Sequence, residues 1–328
     1  MNHYVIGVDG GGTKTEFVLL DYSGNVIGKL KGESTNYQVI GGKKLKEEIL
    51  DGFTKIMNIT NISPNKINCV FLGLAGAGRK NDQEEIIALF SDTEFSGKIL
   101  VDSDAMAALA GAFGTGPGII IISGTGAICF GKNNEGKVVR SGGWGYLLGD
   151  EGSGYFMGHE AIIAALKDLD GRGDKTKLRN RLEEHFKLTT IDQIIPYIYQ
   201  EKIDRVAIAD LALIVFEMAN QGDAIAEQIV RRTGRELGIL AKAVAHQLYF
   251  ENNEIKVALI GSMFKQKEMF INEISKELYE ISWNVEISDP MFEPQYGAAL
   301  LALQKVEVEI NEVLLNNIQY SIKQSGEM

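Results

Sequence analysis

Residues 5–21 read VIGVDGGGTKTEFVLLD, which is an apolar run, an aspartate with three glycines, and a second apolar run. Two such runs joined by a short glycine-rich segment predict two strands and a tight turn. Glycines leave backbone N–H groups open to close approach, a property that suits an anionic ligand. This stretch therefore predicts a hairpin whose turn, next to Asp9, can bind an anion.

The turn does not match either of the two common phosphate-binding motifs. It is neither G-x-x-x-x-G-K-[ST] nor G-x-G-x-x-G, and a strand follows it where those motifs require a helix N-terminus. Walker and Rossmann sites are therefore excluded here. Taken alone, the three glycines could also form a plain tight hairpin.

A second glycine turn, SGTG at 123–126, repeats the first at a fixed distance. Thr125 follows Thr13 by 112 positions, and Gly136 in the next turn follows Gly24 by the same interval. Two matches at one offset indicate an internal duplication. Each half shares a plan of three strands, helix, strand, helix, strand and helix, so two such turns are expected to face each other across a cleft.

The fold prediction is accordingly an α/β protein of two duplicated domains, each a mixed sheet flanked by helices. The predicted N-terminal domain covers 1–113 and the C-terminal domain 114–328, with a mostly helical region at about 155–249 and a terminal helix that packs back on the first domain. A length of 328 residues and 45% hydrophobic content are consistent with two cores.

Composition excludes several classes of function. The formal net charge of −11 is the wrong sign for a nucleic-acid surface. The sequence lacks an apolar stretch of the ~20 residues that span a bilayer and lacks a leader pattern, so we expect a cytoplasmic protein with no membrane partner. Cys69 and Cys129 both lie in apolar strand patterns, which predicts buried thiols. The four histidines show no metal-ligand spacing.

Four segments in this order resemble the BadF/BadG/BcrA/BcrD ATPase family, and within it the N-acetylglucosamine kinase branch. They are VIGVDGGGTKTEFVLLD, IIIISGTGAICFG, GGWGYLLGDEGSGYFMG and VALIGSMFK. The resemblance as a whole extends from about residue 4 to 304. The third segment is the most specific. The resemblance implies two RNase H-like domains of the actin-like and hexokinase-like superfamily, with the active-site cleft between them, and an ATP:sugar phosphotransferase.

The resemblance assigns ATP and Mg2+ to the glycine turns. Asp9 matches the aspartate that holds Mg2+, usually through water. The remaining nucleotide-binding positions match the two phosphate turns and the adenosine segment: Gly11, Gly12, Thr13, Lys14, Gly124, Thr125, Gly126, Gly261 and Ser262. Alternative interpretations are a turn-capping carboxylate for Asp9 and an ordinary strand end for Gly261.

Phosphoryl transfer to a hydroxyl requires a carboxylate that accepts the proton, and LVDSDAMAALAG supplies two candidates. Asp104 matches the catalytic aspartate of the family, whereas both Asp102 and Asp104 could instead cap the following helix. The implied sugar-binding residues are Asn36, Gly143, Trp144 and Asp150. Trp144 fits packing between domains equally well. The adjacent carboxylates Asp150 and Glu151 are weak evidence for a two-metal or glycosidase-like site.

The expected reaction is transfer of the γ-phosphate to a hydroxyl, with O6 expected from the resemblance, of N-acetylglucosamine or N-acetylmuramic acid. One alternative within the family is an ATPase activator of a 2-hydroxyacyl-CoA dehydratase, which needs cysteine ligands for an iron–sulfur cluster. A second alternative is a sugar kinase of the ROK type, although most kinases of that type carry a zinc-binding cysteine cluster. A third alternative is an actin-like regulator without a sugar site. These patterns do not determine which sugar is preferred, nor do they determine the oligomeric state. A homodimer is the expectation for the oligomeric state.

Overall fold

The computed structural model describes residues 3–200, 204–250, 254–279 and 284–324. The strands within these ranges are β1 Tyr4–Gly10, β2 Thr15–Asp21, β3 Val26–Gly32, β4 Ile67–Leu74, β5 Ile99–Ser103, β6 Gly118–Ser123, β7 Ala127–Lys132, β8 Val138–Gly142, β9 Glu254–Ile260 and β10 Asn284–Ser288. Trp283, the first residue of the last predicted strand, lies outside the described residues.

The helices within the same ranges are α1 Tyr37–Thr60, α2 Lys80–Ala88, α3 Asp104–Phe113, α4 Gly154–Asp170, α5 Lys177–Phe186, α6 Ile195–Tyr199, α7 Arg205–Asp210, α8 Ala212–Asn220, α9 Ala224–Gln247, α10 Ile271–Tyr279, α11 Pro294–Lys305 and α12 Glu312–Gln324. Short 3-10 segments occupy Pro64–Lys66, Ile191–Ile194 and Ser262–Met269. The helix predicted around 267–280 is therefore a 3-10 segment followed by α10.

The chain forms two compact units, the first of residues 1–116 and 290–328 and the second of residues 117–289. The predicted division at 113/114 placed 290–328 with the second half, whereas their contacts assign them to the first unit. The reason is packing: α11 lies against β1 and α3, and Asn317 on α12 donates its side-chain N–H to the Ser23 carbonyl at 2.7 Å.

The sheet of the first unit has strand order β3-β2-β1-β4-β5. β1, β2 and β3 are antiparallel neighbours, and β4 and β5 run parallel to β1. Alternation along β1 directs Ile6 and Val8 into a core with α1, and Val5 into a second core with α11. Gly7 lies under α11, where a Cβ would come within 2.3 Å of the Gln295 carbonyl oxygen.

The second unit repeats this arrangement, with strand order β8-β7-β6-β9-β10 when its sheet is listed from the opposite edge. Its three antiparallel strands and two parallel strands correspond one to one with those of the first unit. β2 starts at Thr15 and β7 at Ala127, while the two turn glycines Gly24 and Gly136 have φ of 86° and 82°. The duplicated α/β fold predicted from the 112-residue offset is confirmed.

Candidate active site

The first glycine turn is held by hydrogen bonds on one side and is exposed to solvent on the other. Gly11 donates its backbone N–H to the Lys14 carbonyl at 3.0 Å, and the Ser34 hydroxyl donates to the Gly11 carbonyl at 3.0 Å. A Cβ on Gly10 would lie 2.2 Å from Thr35 Oγ1. Gly12 is exposed, as are Thr13 and Lys14. The backbone from 11 to 13 is thus held in place and accessible to a ligand.

Asp9 precedes this turn in an acidic environment. Partial burial is the main reason that its pKa rises to about 7, and the carboxylates of Asp104, Glu16 and Glu293 also raise it. The Lys14 ammonium acts in the opposite direction. Since Lys14 already pairs with Glu16 at 2.9 Å, it offsets only part of this charge. A cation bound here would stabilise ionised Asp9.

Asp102 and Asp104 both lie at the junction of β5 and α3, but they have different neighbours. Asp104 is the first residue of α3 and accepts the Ala105 N–H at 2.9 Å. Asp102 accepts the Ser103 N–H at 2.6 Å and a 3.4 Å bond from Gln83 Nε2. Burial raises the pKa of both carboxyls, and of the two only Asp104 contributes to the raised pKa of Asp9.

Neither aspartate is the N-cap residue of α3. That position belongs to Ser103, whose hydroxyl makes no capping hydrogen bond. Asp104 nonetheless lies in the first turn, where a carboxylate interacts favourably with the helix dipole. Its location is therefore compatible with both helix stabilisation and proton acceptance.

Asn36 lies next to the first turn because it is the N-cap of α1. Its Oδ1 accepts the Gln38 N–H at 3.2 Å, and a Cβ on Gly12 would lie 4.0 Å from its Nδ2. The capping bond occupies the amide oxygen, so Asn36 can offer a ligand chiefly its N–H donors.

The second glycine turn is fixed by hydrogen bonds to the segment that begins α4. The Ser123 hydroxyl donates to the Gly152 carbonyl at 2.8 Å, and the Gly154 N–H donates to the Gly124 carbonyl at 2.8 Å. Within the turn, the Gly124 N–H donates to the Gly126 carbonyl at 3.0 Å. Thr125 lies between these two glycines.

Asp150 packs directly on this turn. A Cβ on Gly126 would lie 2.9 Å from Asp150 Oδ2, and Asp150 is 6% exposed with a left-handed φ of 62°. Burial raises the pKa of its carboxyl, while hydrogen bonds from the backbone N–H groups of Ala127 and Gly145 lower it. The structure thus brings together Gly126 and Asp150, which the sequence only suggested separately.

Gly143 and Trp144 lie in the same neighbourhood but differ in exposure. Gly143 has φ 70°, and a Cβ there would come within 2.2 Å of Ile128 Cδ1, so glycine is required. Trp144 is 64% exposed, with the Arg140 guanidinium 4.5 Å above its ring. An exposed indole supported by an arginine offers an apolar face to a ligand.

The predicted adenosine segment adjoins the second turn as well. Gly261 has φ 115°, and a Cβ on it would lie 2.2 Å from the Ser123 carbonyl oxygen. Ser262 Oγ is 3.7 Å from the Cβ position of Gly124.

Sequence reasoning did not identify Glu16 or Glu293 beside Asp9, and no sequence motif marks them.

The residues available to a divalent cation are few. Within the described ranges, no group of three or more His, Cys, Asp or Glu side chains could hold a metal ion. Mg2+ keeps several waters and often takes only one or two carboxylates plus phosphate oxygens. Asp9, beside an accessible turn, fits this mode of binding.

Each of the two cysteines lies in a hydrophobic core. Cys69 and Cys129 are buried and unpaired with each other. Burial raises the pKa of the Cys69 thiol to about 11 and raises that of Cys129 further. Both thiols are therefore protonated structural side chains at neutral pH.

Within the described chain, no helix combines the length and the apolar character needed to cross a membrane.

Comparison with known proteins identifies the class to which this fold and site belong. The chain belongs to the BadF/BadG/BcrA/BcrD ATPase family, whose match covers residues 6–302. The resemblance recognised in the sequence is confirmed.

Two curated relatives in the family are named as amino-sugar kinases. An N-acetylmuramic acid/N-acetylglucosamine kinase of Clostridium acetobutylicum is 36% identical over 306 residues, which is 91% of this chain and 98% of the relative. An N-acetyl-D-glucosamine kinase of Dictyostelium discoideum is 34% identical over 311 residues, covering 91% and 97%.

A solved structure agrees with the fold. The crystal structure of a Chromobacterium violaceum protein, provisionally described as an N-acetylglucosamine kinase, has a TM-score of 0.74 at 25% identity, covering 92% of this chain and 99% of that one.

Proposed function

We propose that this protein is an ATP-dependent N-acetylhexosamine kinase that transfers the γ-phosphate to O6 of N-acetylglucosamine, with N-acetylmuramic acid as a second acceptor. The observation that carries the proposal is the position of Asp104, a carboxylate of raised pKa whose charge acts on Asp9 beside the open glycine turn. The names of the two curated relatives support the choice of substrate.

Asp104 is the proposed general base. The sugar hydroxyl gives its proton to the Asp104 carboxylate as its oxygen forms the new bond to the γ-phosphorus, and the bond from that phosphorus to the leaving oxygen of ADP breaks. A base with a raised pKa accepts the proton more readily, provided that it is ionised when the sugar binds. Asp102, held by Gln83 and Ser103, is not the proposed base.

The two glycine turns are proposed to bind the phosphates. Gly11, Gly12, Thr13 and Lys14 form the first-unit side of this site, where the N–H groups of Gly12 and Thr13 and the Lys14 ammonium are the proposed donors, because the Gly11 N–H already donates to the Lys14 carbonyl. Gly124, Thr125 and Gly126 form the second-unit side, where the N–H groups of Thr125 and Gly126 are the proposed donors, because the Gly124 N–H already donates to the Gly126 carbonyl. Mg2+ held at Asp9 would neutralise charge on the phosphate oxygens during transfer.

The proposed adenosine and sugar contacts are made by residues that adjoin these turns. Gly261 and Ser262, which match the adenosine segment of the family, are the proposed adenosine contacts, and they adjoin the second turn at Ser123 and Gly124. Asn36, Gly143, Trp144 and Asp150 bind the sugar. Asp150 suits hydroxyl groups because its buried carboxylate accepts hydrogen bonds, and Trp144 suits the apolar face of the ring.

The direct test is ADP formation with Mg2+ and ATP across N-acetylglucosamine, N-acetylmuramic acid, glucosamine, N-acetylmannosamine and glucose, with the products mapped by NMR. We expect N-acetylated sugars to stimulate turnover and to carry phosphate on O6. ATP hydrolysis at one rate with every sugar and with none would instead support an ATPase that energises a protein partner. We also propose that the protein acts in the cytoplasm, where ATP is available. We further propose that it forms a homodimer, and light scattering measures its oligomeric state.

A further inference from the structure

Two arginines of the second unit differ from the others in having no carboxylate partner. Arg140 and Arg205 form no ion pair with any residue that the structure describes, and both are exposed. Each lies instead over an aromatic ring, Arg140 at 4.5 Å from the centre of Trp144 and Arg205 at 5.9 Å from the centre of Tyr146. The other arginines of residues 117–289 pair with carboxylates at 2.7 to 3.3 Å: Arg172, Arg179, Arg181, Arg231, Arg232 and Arg235.

Arg205 is linked to Asp150, the proposed sugar-binding carboxylate, through the loop that precedes Asp150. The Asp150 carboxyl accepts the Gly145 N–H, and the next residue in the chain is Tyr146, whose ring lies under Arg205. Burial is the main influence on the pKa of Asp150 and raises it, whereas the positive charge of Arg205 lowers it. The main influences on this pKa do not include Arg140. Of the two unpaired arginines, Arg205 is therefore the one whose charge acts at the proposed sugar site.

The position of Arg205 follows from the packing of α7 on α4. Arg205 is the first residue of α7, and Asp204 caps that helix with its side chain. A Cβ on Gly158 of α4 would lie 1.9 Å from the Ile208 carbonyl oxygen of α7, so the two helices are in close contact. Because α4 follows shortly after Asp150 in the chain, this packing brings Arg205 towards Asp150.

The charges at this loop indicate which kind of sugar requires the guanidinium. The hydroxyl groups of a neutral sugar need acceptors, and Asp150 supplies one. A sugar that carries a carboxylate would be repelled by Asp150 and by the adjacent Glu151 unless a cation compensated for them. Arg205 is such a cation, and the paired N–H groups of a guanidinium match the two oxygens of a carboxylate.

We propose that Arg205 is a specificity-determining residue, which binds the carboxylate of N-acetylmuramic acid and is not needed for N-acetylglucosamine. The two sugars differ by a lactyl ether, and that group supplies the negative charge. The inference rests on the proposed function, because it requires a sugar bound at Asp150. It assigns to a single side chain the acceptance of the second, anionic acceptor.

The test compares three acceptors with the full chain: N-acetylglucosamine, N-acetylmuramic acid and the methyl ester of N-acetylmuramic acid. The ester keeps the lactyl group but has no charge. Arg205→Met removes the cation and leaves a flexible side chain. Arg140→Met is the matched control, because Arg140 also lies over an aromatic ring and has no carboxylate partner among the described residues. Calorimetry gives the dissociation constant of each sugar, and initial rates give its KM and kcat.

We expect Arg205→Met to bind N-acetylmuramic acid about tenfold more weakly, because a charge-assisted hydrogen bond is lost. Its affinities for the ester and for N-acetylglucosamine should stay within about threefold of wild type. Arg140→Met should change the affinities for all three sugars to the same extent. Added NaCl should weaken the binding of the acid to wild type more than to Arg205→Met, because salt screens exposed charges.

Equal losses for the acid and the ester, no loss at all, or a loss specific to the acid in Arg140→Met alone would overturn the inference and leave the kinase proposal intact. A wild-type protein that phosphorylates N-acetylglucosamine but does not bind N-acetylmuramic acid would overturn the inference and remove the second acceptor. A protein that phosphorylates neither sugar would overturn the proposed function as well.

A second variant covers the case in which Arg205→Met does not fold. Arg205→Lys keeps the charge but not the paired N–H groups, so we expect a smaller loss of affinity for N-acetylmuramic acid and a retained dependence on salt. Wild-type rates with N-acetylglucosamine show that a variant is folded. A lysine variant that binds the acid as weakly as the methionine variant, without dependence on salt, would contradict the role of the charge.

Discussion

Glu16 lies directly opposite Asp9 in the antiparallel register of β1 and β2. Directly opposed residues share a face of the sheet, so two carboxylates are neighbours beside the first glycine turn. Lys14 pairs with Glu16 at 2.9 Å and leaves Asp9 without a comparably close cation in the described structure. The site thus carries negative charge that a bound metal ion would stabilise.

The raised pKa of Asp9 predicts how stability depends on pH. Its folded pKa of about 7 exceeds the ordinary 3.8, so between these values the native state binds more protons than the unfolded state. The contribution of Asp9 to the free energy of unfolding therefore falls as pH rises from about 4 to about 7, by at most about 4 kcal/mol.

Urea denaturation of the metal-free protein at pH 5 and pH 7.5 measures this effect. Asp9→Asn removes the titrating group, and we expect it to stabilise the protein relative to wild type more at pH 7.5 than at pH 5. Asp92→Asn, at an exposed carboxylate paired with Lys46, is the control and should not show this difference. A variant-to-wild-type difference that is the same at both pH values would contradict the assigned pKa.

Replacing the proposed base should separate chemistry from binding. Asp104→Asn keeps the shape of the side chain but cannot accept the proton, so we expect kcat to fall by about 10²- to 10⁴-fold while sugar affinity stays within a few-fold. Steady-state kinetics and sugar calorimetry measure the two quantities. Asp102→Asn is the neighbouring control and should retain most of kcat; the opposite ranking would move the base to Asp102.

The buried carboxylate on the second turn should govern sugar affinity. Asp150→Asn removes the charge that accepts hydrogen bonds from sugar hydroxyls, and we expect the KM for N-acetylglucosamine to rise at least about tenfold. Glu151→Gln, at the adjacent exposed residue, should change KM little. Initial-rate kinetics at saturating ATP test this, and similar effects of the two substitutions would indicate a general charge effect.

Gly261 should tolerate no side chain. Its φ of 115° is unfavourable for other residues, and a Cβ would lie 2.2 Å from the Ser123 carbonyl oxygen. We expect Gly261→Ala to lower the melting temperature and to weaken ATP binding by displacing the second turn. Gly222→Ala is a matched control, because Gly222 also has positive φ but a Cβ there meets nothing within 4 Å. Equal thermal shifts in both variants would show that backbone strain alone is responsible.

The sequence by itself determined the duplicated fold. The offset from Thr13 to Thr125 places β2 and β7 correctly, and Gly24 and Gly136 occupy equivalent turns with nearly equal φ. These features are local, because strand alternation and glycine turns depend on residues close together in the chain. The helix at Asp104 was recognisable for the same reason.

Only the tertiary structure decided which distant residues share a site. Glu293 reaches the neighbourhood of Asp9 because the adjoining helix α11 packs on β1, and a Gly at position 7 permits that approach. Gly261 likewise meets Ser123 through the parallel pairing of β9 with β6. Such contacts depend on the packing of elements far apart in the chain, and no periodicity or motif within any one element encodes them.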